Sequence, residues 1–282
     1  MIVCSRKQEV MELISDSIKL NKTIGLVPTM GSLHEGHLSL ISEALANNDI
    51  IWVTIFVNPT QFNNSDDLKN YPKNFKEDLN LIKKISNNIN VFHPNEMEIY
   101  DRKPLLKVYN FNSLDLELEG KYRASHFNGV ATVVSKLLNL FKPTNAYFGE
   151  KDYQQTQIIN RLIGIEKIEV NLIICPTKRD KNGLALSSRN KLLSKKNKKK
   201  SSIIYESLIY LKKYFQNKPV PLIINEVKTK INSFQDFQIE YLEIVNNKSL
   251  QLESNYDKNK VYRAFICVSV KGVRLIDNIL LN

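Results

Sequence analysis

The sequence predicts an α/β protein: a Rossmann-like domain with a doubly wound parallel sheet, followed by a smaller C-terminal α/β domain. Three observations support this prediction. Short apolar runs typical of buried strands alternate with longer amphipathic stretches typical of helices. The segments that join the runs are long enough for the crossovers that a parallel sheet requires. After Pro176 this alternation stops, which indicates a second domain.

The predicted elements follow in chain order. Strands are expected at residues 24–27, 50–57, 146–148 and 172–175. Helices are expected at residues 7–20, 36–46, 75–85, 129–140 and 153–162, where apolar residues recur at intervals of three or four. Beyond Pro176 we expect a loop, a lysine-rich helical stretch through Tyr214, a helix at 220–231 and strands at 238–245, 261–270 and 272–281. The predicted domains are therefore residues 1–176 and 177–282.

Composition restricts the class of protein. Hydrophobic residues make up 43% and charged residues 24% of the 282 positions, which is typical of globular proteins. No apolar run approaches the roughly 18 residues of a membrane span, and the N-terminal residues lack a signal-peptide stretch, so we expect a cytoplasmic protein. The three cysteines lie far apart, a spacing that predicts neither disulfides nor a metal site.

The formal net charge is +11, but the lysines are spread over nearly every predicted helix. The one dense run, K-K-N-K-K-K at residues 195–200, lacks interleaved aromatic residues that could stack on bases. We therefore expect no nucleic-acid partner. The alternative is an RNA-binding protein that uses this run, and salt-sensitive RNA affinity lost on neutralising the run would support it.

A histidine pair follows the first predicted strand. The segment P-T-M-G-S-L-H-E-G-H at residues 28–37 joins this strand to a helix, and α/β proteins bind phosphates where strand ends and helix N-termini meet. His34 and His37 are three residues apart, so both imidazoles can point at one bound phosphate from one helix face. Two of the four histidines of the chain therefore fall at the predicted ligand-binding edge.

Other residues of this segment support the same prediction. Gly31 and Gly36 have no Cβ, which lets a ligand and the turn approach the backbone closely. Ser32 and Glu35 have the spacing of a capping box, which predicts that a helix begins here. The absence of G-x-G-x-x-G lowers the odds of a dinucleotide cofactor.

Two further segments supply candidate ligand-binding side chains. Gln61 lies in F-V-N-P-T-Q-F at residues 56–62, and a buried glutamine offers two donors and an acceptor, which can hold a hydroxy acid. The structural alternative is a turn, in which Asn-Pro is common. In R-A-S-H-F at residues 123–127, His126 either contacts the ligand directly or supports the site from behind.

Cationic residues follow the last two predicted strands. In F-G-E-K-D-Y-Q-Q at residues 148–155, Lys151 is a compact cation suited to a phosphate oxygen, although an exposed Lys-Asp pair is usually solvated surface. The segments P-T-K-R-D and G-L-A-L-S-S-R-N lie between residues 176 and 190. Their two serines and Arg189 can clamp a polyphosphate, because a guanidinium binds phosphate oxygens in pairs. A helix N-cap at one of the serines is compatible with that clamp.

Taken together, these five segments resemble the pantothenate synthetase family, pantoate–β-alanine ligases of the nucleotidyltransferase superfamily that carries H-x-G-H. The similarity covers almost the whole chain, and the four further segments make it specific. It implies ATP-dependent condensation of (R)-pantoate with β-alanine through a pantoyl-adenylate, with release of AMP and pyrophosphate. It also implies Mg²⁺ with the ATP and a homodimer. Because Ser187, Ser188 and Arg189 lie just past the predicted boundary and must reach ATP bound by the first domain, we expect the second domain to act as a lid.

The resemblance implies which residues form the site. The expected catalytic residues are His34, His37, Lys151 and Arg189. The expected ATP-binding residues are Met30, Gly31, Ser32, Leu33, His34, Glu35, Gly36, His37, Gly149, Glu150, Lys151, Asp152, Lys178, Leu186, Ser187, Ser188 and Arg189. Gln61 and Gln155 are expected to bind pantoate, and Gln61 to border β-alanine. No residue is assigned as a metal ligand, since Mg²⁺ is expected to be held by phosphates and water.

The sequence departs from the family pattern at three positions. Ala124 and Ser125 stand where the family usually has Pro-Gly, a change that is expected to loosen the loop before His126. Lys178 stands where the family normally has a small aliphatic residue. The nearest alternative enzyme is another nucleotidyltransferase, which would share the histidine pair without needing Gln61 or Gln155. AMP release that depends on β-alanine would separate the two.

Overall fold

A computed structural model describes residues 1–101, 104–253 and 255–282 of the chain. By their internal contacts these residues form two units. Unit 1 comprises Met1–Asn112, Arg123–Glu150 and Gln155–Pro176, and unit 2 comprises Ser113–Tyr122, Lys151–Gln154 and Thr177–Asn282. This division differs from the sequence-based one, in which residues 113–122 and 151–154 belonged to the first domain. Both segments instead pack with the C-terminal residues.

Unit 1 contains a six-stranded sheet in the order β1-β4-β3-β2-β5-β6. The strands are β1 (Val3–Cys4), β2 (Ile24–Thr29), β3 (Ile50–Ile55), β4 (Ile89–Phe92), β5 (Asn145–Gly149) and β6 (Asn171–Cys175). Every neighbouring pair is parallel, which confirms the predicted parallel α/β fold. The sequence prediction missed β1 and β4, because their two and four residues are too few to show a periodicity.

The helices in the first 176 residues connect these strands. They are α1 (Lys7–Lys19), α2 (Glu35–Asn47), α3 (Ser65–Lys69), α4 (Phe75–Ile85), α5 (Glu96–Tyr100), α6 (Glu119–Tyr122), α7 (His126–Phe141) and α8 (Tyr153–Glu166). All five helices predicted for this part are present. Within the described ranges, none of the helices combines the length and apolarity needed to cross a bilayer.

Helices cover both faces of the sheet, as a doubly wound fold requires. On one face, Val27 and Val53 belong to a buried cluster that includes Ile41 of α2. On the other face, the Trp52 ring packs against Phe141 of α7 at a centroid distance of 5.3 Å. Because successive side chains of a strand point to opposite faces, neighbouring residues such as Trp52 and Val53 supply different cores.

The strand order places a topological switch point between β2 and β5. From β2 the chain crosses through α2 to β3 on one side, whereas β5 pairs with the other side of β2. Connections that leave in opposite directions open a crevice at the carboxyl ends of the two strands, and α/β proteins bind ligands in such crevices. The loop at residues 30–34 follows β2, and Glu150 follows β5.

Unit 2 is built on a three-stranded antiparallel sheet in the order β7-β8-β9. Its strands are β7 (Phe237–Asn246), β8 (Tyr262–Val270) and β9 (Val273–Leu280), and its C-terminal helices are α9 (Lys195–Lys200), α10 (Ser202–Tyr214) and α11 (Val220–Asn232). Leu208 of α10, Ile223 of α11 and Ile266 of β8 belong to one buried cluster. The helices therefore cover one face of this smaller sheet.

Glu119 anchors the segment Ser113–Tyr122 within unit 2. Its carboxylate is 6% exposed and accepts two hydrogen bonds from Arg274, each 2.8 Å long, and one from the Tyr241 hydroxyl at 2.8 Å. Burial alone would lower the pKa of Arg274, but the hydrogen bonds and charge of Glu119 raise it above its usual value. Arg274 therefore stays positively charged beside this buried carboxylate.

Replacing Arg274 with methionine is expected to leave the Glu119 charge buried without its cation. Removing one member of a buried ion pair costs about 3–5 kcal/mol, and we expect the lower end for R274M, because the Arg274 side chain is 28% exposed. Urea denaturation measures the free energy of unfolding. Lys271→Met is the matched control, because the Lys271 side chain is 68% exposed and its ammonium lies 3.6 Å from the Asp236 carboxylate. Equal losses in both variants would contradict the prediction.

Candidate active site

The loop between β2 and α2 makes a tight turn. Gly31 and Ser32 both have positive φ values, +78° and 50°. A Cβ on residue 31 would lie 3.0 Å from Oδ2 of Asp78 and 3.1 Å from Cγ2 of Ile55, so glycine fits both the conformation and the space. The Thr29 hydroxyl donates to the Thr54 carbonyl at 2.7 Å and accepts from the Gly31 N–H at 3.2 Å. These contacts hold the loop at the end of the strand.

Asp78 of α4 holds the next part of the loop. Its carboxylate is 1% exposed and accepts hydrogen bonds from the N–H groups of Ser32 at 2.9 Å and Leu33 at 2.7 Å. Asp78 lies outside the five segments that predicted the site. The available signal was a charged residue on the apolar face of a predicted helix, three positions after Phe75 and four before Ile82.

The structure brings the two imidazoles of the loop together. The ring centroids of His34 and His37 are 4.1 Å apart, with the ring planes tilted by 37°. Nδ1 of His34 accepts a hydrogen bond from the Gly36 N–H at 3.1 Å, so this nitrogen carries no proton. In neutral His34 the proton therefore lies on Nε2, which makes Nε2 a donor.

The helix that the capping-box spacing predicted at this segment is present, but the box between Ser32 and Glu35 is not. Helix α2 begins at Glu35, and its N-cap is His34, whose ring takes the acceptor role that a serine oxygen would have. Ser32 instead lies in the left-handed turn, with its N–H directed at Asp78. The spacing misled because an imidazole nitrogen can cap a helix, although it is not among the preferred capping groups.

Gln61 lies at the end of the 3₁₀ turn Pro59–Gln61, which follows β3. The Gln61 side chain is 9% exposed, and its amide nitrogen lies 3.0 Å from the Met30 sulfur. Its amide oxygen accepts from Nδ2 of Asn58 at 3.2 Å, and the same nitrogen donates to the carbonyl of Gly129 at 3.2 Å. Gln61 therefore contacts Met30 in the loop after β2, and Asn58 links its side chain to the Gly129 carbonyl in α7.

The contacts of Arg123 and His126 favour a supporting role for His126. Nδ1 of His126 lies 2.8 Å from the Gln61 carbonyl oxygen, which can only accept, so Nδ1 carries the proton. Nε2 then accepts from Arg123 at 3.2 Å, and the Arg123 guanidinium also donates to the Gln61 carbonyl at 3.2 Å. The side chains thus fix the backbone of Gln61.

The departure at residue 125 has a local cost. Ser125 has a φ of 63°, a left-handed conformation at the N-cap of α7, and its side chain makes no capping hydrogen bond. A left-handed residue with a Cβ costs about 1–2 kcal/mol. A glycine at this position would avoid that cost. The Ala124 carbonyl accepts a hydrogen bond from the side chain of Asn63, which holds this loop.

The segment after β5 is divided between the two units. Gly149, Glu150 and Gln155 belong to unit 1 and are half-buried, whereas Lys151 and Asp152 belong to unit 2. The Lys151 ammonium lies 3.3 Å from the Asp152 carboxylate, and its side chain is 18% exposed. The alternative interpretation was a fully solvated Lys-Asp pair on the surface. The largely buried Lys151 side chain does not fit it.

The serine and arginine segment forms a hairpin and a short turn within unit 2. The Leu186 N–H donates to the Lys178 carbonyl at 2.9 Å, while the Lys178 residue itself is exposed. The Ser187 hydroxyl caps the 3₁₀ turn Ser188–Leu192 by accepting from the Arg189 N–H at 3.3 Å. The capping role of Ser187 is thus present, and Arg189 follows it directly.

The described residues contain no group of three histidine, cysteine, aspartate or glutamate side chains that could hold a metal ion. The cysteines Cys4, Cys175 and Cys267 are free and buried. Burial raises the pKa of Cys175 to about 11, so it is a neutral thiol at physiological pH. Its role is packing.

These features define an α/β protein with a candidate phosphate-binding site at the switch point of a Rossmann-like sheet. A family profile described as Pantoate-beta-alanine ligase matches residues 2–280. The chain belongs to the pantoate–β-alanine ligase family, a family of enzymes.

Relatives and solved structures agree over the full length of the chain. It is 42% identical to the pantothenate synthetase of Flavobacterium psychrophilum and 44% identical to that of Christiangramia forsetii, each over 282 residues and 100% of both chains. The structure of pantothenate synthetase from Thermus thermophilus superposes with a TM-score of 0.89 at 32% identity, covering 100% of this chain and 99% of that one. Pantoate-beta-alanine ligase from Francisella tularensis, complexed with beta-gamma ATP and beta-alanine, gives a TM-score of 0.84 at 38% identity, covering 99% and 97%.

Gly129 allows α7 to approach the turn that carries Gln61. A Cβ on Gly129 would lie 2.3 Å from the Thr60 carbonyl oxygen, and because that atom is backbone the turn must move. Overpacking of this kind costs about 1–3 kcal/mol, so G129A is expected to lower the free energy of unfolding by that amount. In α8, Gly164→Ala is the control: its Cβ meets nothing within 4 Å, and alanine is expected to raise stability by up to about 1 kcal/mol. Denaturation curves of both variants test this, and G129A as stable as wild type would contradict it.

Proposed function

We propose that the chain catalyses the ATP-dependent condensation of (R)-pantoate with β-alanine to pantothenate through a pantoyl-adenylate, releasing AMP and pyrophosphate. The observation that carries the proposal is the histidine pair, His34 and His37, with ring centroids 4.1 Å apart at the start of α2. This pair follows β2 at the switch point of the sheet, in a chain of the pantoate–β-alanine ligase family.

The first step would form the adenylate. A carboxylate oxygen of pantoate attacks the α-phosphorus of MgATP in line, and the bond from this phosphorus to the β-phosphate oxygen breaks, so that pyrophosphate leaves. Negative charge builds on the phosphates, and the protein need only position the groups and neutralise this charge. We assign that role to His34, His37, Lys151 and Arg189.

The second step would form the amide. The neutral amine of β-alanine attacks the acyl carbon of the adenylate, and the bond from that carbon to the phosphate oxygen breaks, so that AMP leaves. The amine loses its proton as the C–N bond forms. We assign pantoate binding to Gln61 and Gln155, and β-alanine to the neighbourhood of Gln61. The Francisella tularensis ligase, whose solved structure is a complex with beta-gamma ATP and beta-alanine, supports ATP and β-alanine as substrates.

His34 and Gln61 suit these roles because each is held in place, and the His37 ring packs against that of His34. The His34 ring is fixed by its bond to Gly36, and the Gln61 backbone by His126 and Arg123. A donor that is oriented before the ligand arrives needs no reorganisation as charge develops. The remaining proposed ATP-binding residues are those between Met30 and His37, those at 149–152, and Lys178, Leu186, Ser187 and Ser188 of unit 2.

Magnesium would enter with the triphosphate. Mg²⁺ prefers octahedral oxygen coordination and keeps several waters, so phosphate oxygens with at most one carboxylate suffice. The described residues offer no cluster of carboxylate and imidazole ligands to hold the ion without the substrate. We propose further that unit 2 acts as a lid, which would protect the adenylate from water. The homodimer, the cytoplasmic location and the absence of a nucleic-acid partner stay predictions from the sequence.

Omission of each substrate in turn tests the proposed reaction. AMP and pantothenate are expected only when pantoate, ATP and β-alanine are all present. Pantoate and ATP without β-alanine are expected to support ATP–pyrophosphate exchange, because the adenylate forms reversibly. AMP release that does not need β-alanine would indicate a different nucleotidyltransferase, and absence of exchange would contradict the adenylate.

Removal of either imidazole or of the ammonium is expected to damage the first step. Loss of one preorganised donor typically lowers the rate by about 10²–10³-fold, and we expect this for exchange by His34→Ala, His37→Ala and Lys151→Ala. Asn47→Ala is the control, because Asn47 is exposed at the opposite end of α2. Circular dichroism checks that all variants fold. Wild-type exchange in the three variants would remove these residues from the mechanism.

A further inference from the structure

Asp78 lies outside all of the sequence motifs, yet its side chain contacts the loop that leads to the histidine pair. Its carboxylate accepts hydrogen bonds from two successive N–H groups, those of Ser32 and Leu33, just before the helix that bears the histidine pair. Successive backbone N–H groups that converge on one point form a natural anion-binding site. We propose that Asp78 is a positioning residue: its buried carboxylate occupies this site permanently and thereby fixes His34. The inference deepens the proposed adenylation and rests on it.

The backbone N–H groups of the loop are largely committed within the protein. Those that already donate to a protein acceptor are Gly31, Ser32, Leu33, Gly36 and His37. A phosphate therefore cannot use these five N–H groups without breaking an existing hydrogen bond. The side chains of the loop must therefore recognise the phosphate. Nε2 of His34 is the main candidate, because its N–H points away from Nδ1, the nitrogen that caps the helix.

The Asp78 carboxylate is buried, so it needs hydrogen bonds to offset the loss of water. An ionised carboxylate in an apolar environment is costly unless it is hydrogen-bonded. Asp78 is 1% exposed on the face of α4 that also buries Ile82, where an apolar residue would pack at no such cost. Two charge-assisted hydrogen bonds, 2.9 and 2.7 Å long, join its carboxylate to the loop. They fix the position of the loop relative to α4.

The effect reaches His34 through a short rigid path. Leu33 is 1% exposed, so its side chain and its N–H are both fixed, and the next residue is His34. The His34 ring is then oriented by the Gly36 N–H and packs against His37. A displacement of about 1 Å in a positioned group can lower a rate by about 10²-fold. The carboxylate of Asp78 therefore controls the donor without touching the substrate.

The test replaces Asp78 with asparagine, which keeps its size but offers only one acceptor oxygen to the two N–H groups. Pantoate-dependent ATP–pyrophosphate exchange is expected to fall by about 10²-fold. Glu77→Gln is the matched control, because it removes a charge from the exposed neighbouring position of the same helix; its exchange is expected to stay at the wild-type rate. If D78N does not fold, Asp78→Ser, which buries a small neutral group, is expected to show the same loss.

A spectroscopic measurement separates positioning from mere stability. In ¹⁵N-histidine spectra, His34 of the wild type and of E77Q is expected to show an unprotonated Nδ1 that accepts a hydrogen bond. The Asp78 variant is expected to lose this signature while circular dichroism shows it folded. A variant whose exchange falls only with its unfolded fraction, and whose His34 signature is unchanged, would overturn the proposal. If the wild-type enzyme shows no ATP–pyrophosphate exchange, the result would contradict the adenylate and not the role of Asp78. The His34 signature and the rate of pantothenate formation in the Asp78 variant would then decide that role.

Discussion

Parallel strand pairing is the constraint on which the candidate site depends. Because all strands of the unit 1 sheet run in one direction, every loop that follows a strand emerges at the same edge. The loop after β2, the turn after β3 and the segment after β5 are far apart in sequence, yet this edge gathers them. The reversal of strand order between β2 and β5 then opens the crevice beside the histidine pair. The site thus follows from the topology of the sheet before any side chain is considered.

Within that frame the sequence predicts most of the elements. Helix α4 was predicted with the bounds that the structure gives it, Phe75–Ile85, because its apolar residues recur with a helical period. The predicted ends of strand β2 and helix α2 lie within two residues of the observed ends. A continuous apolar run predicts the strand, an amphipathic stretch predicts the helix, and the glycine-containing loop separates them. Periodicity fails for β1, since two residues do not make a pattern.

The candidate site could be predicted only where a local motif carries the information. His34 and His37 are close in sequence, so their shared face follows from helical spacing. The partners of these residues could not be predicted in this way. Asp78 meets the loop from 45 and 46 residues away, and His126 meets Gln61 from 65 residues away. Such pairs are set by tertiary packing, and the only sequence signal is a polar residue where the pattern expects an apolar one.

The chain passes between the two units five times, after residues 112, 122, 150, 154 and 176. A gene fragment that stops after Pro176 therefore does not encode a minimal first unit, because it retains Glu119 without Tyr241 and Arg274, its hydrogen-bond partners. The reciprocal fragment would leave Tyr241 and Arg274 without the Glu119 carboxylate. Neither half is a module that recombination or protein engineering can transfer with a single cut. The two units are expected to have been inherited and to have diverged as one piece.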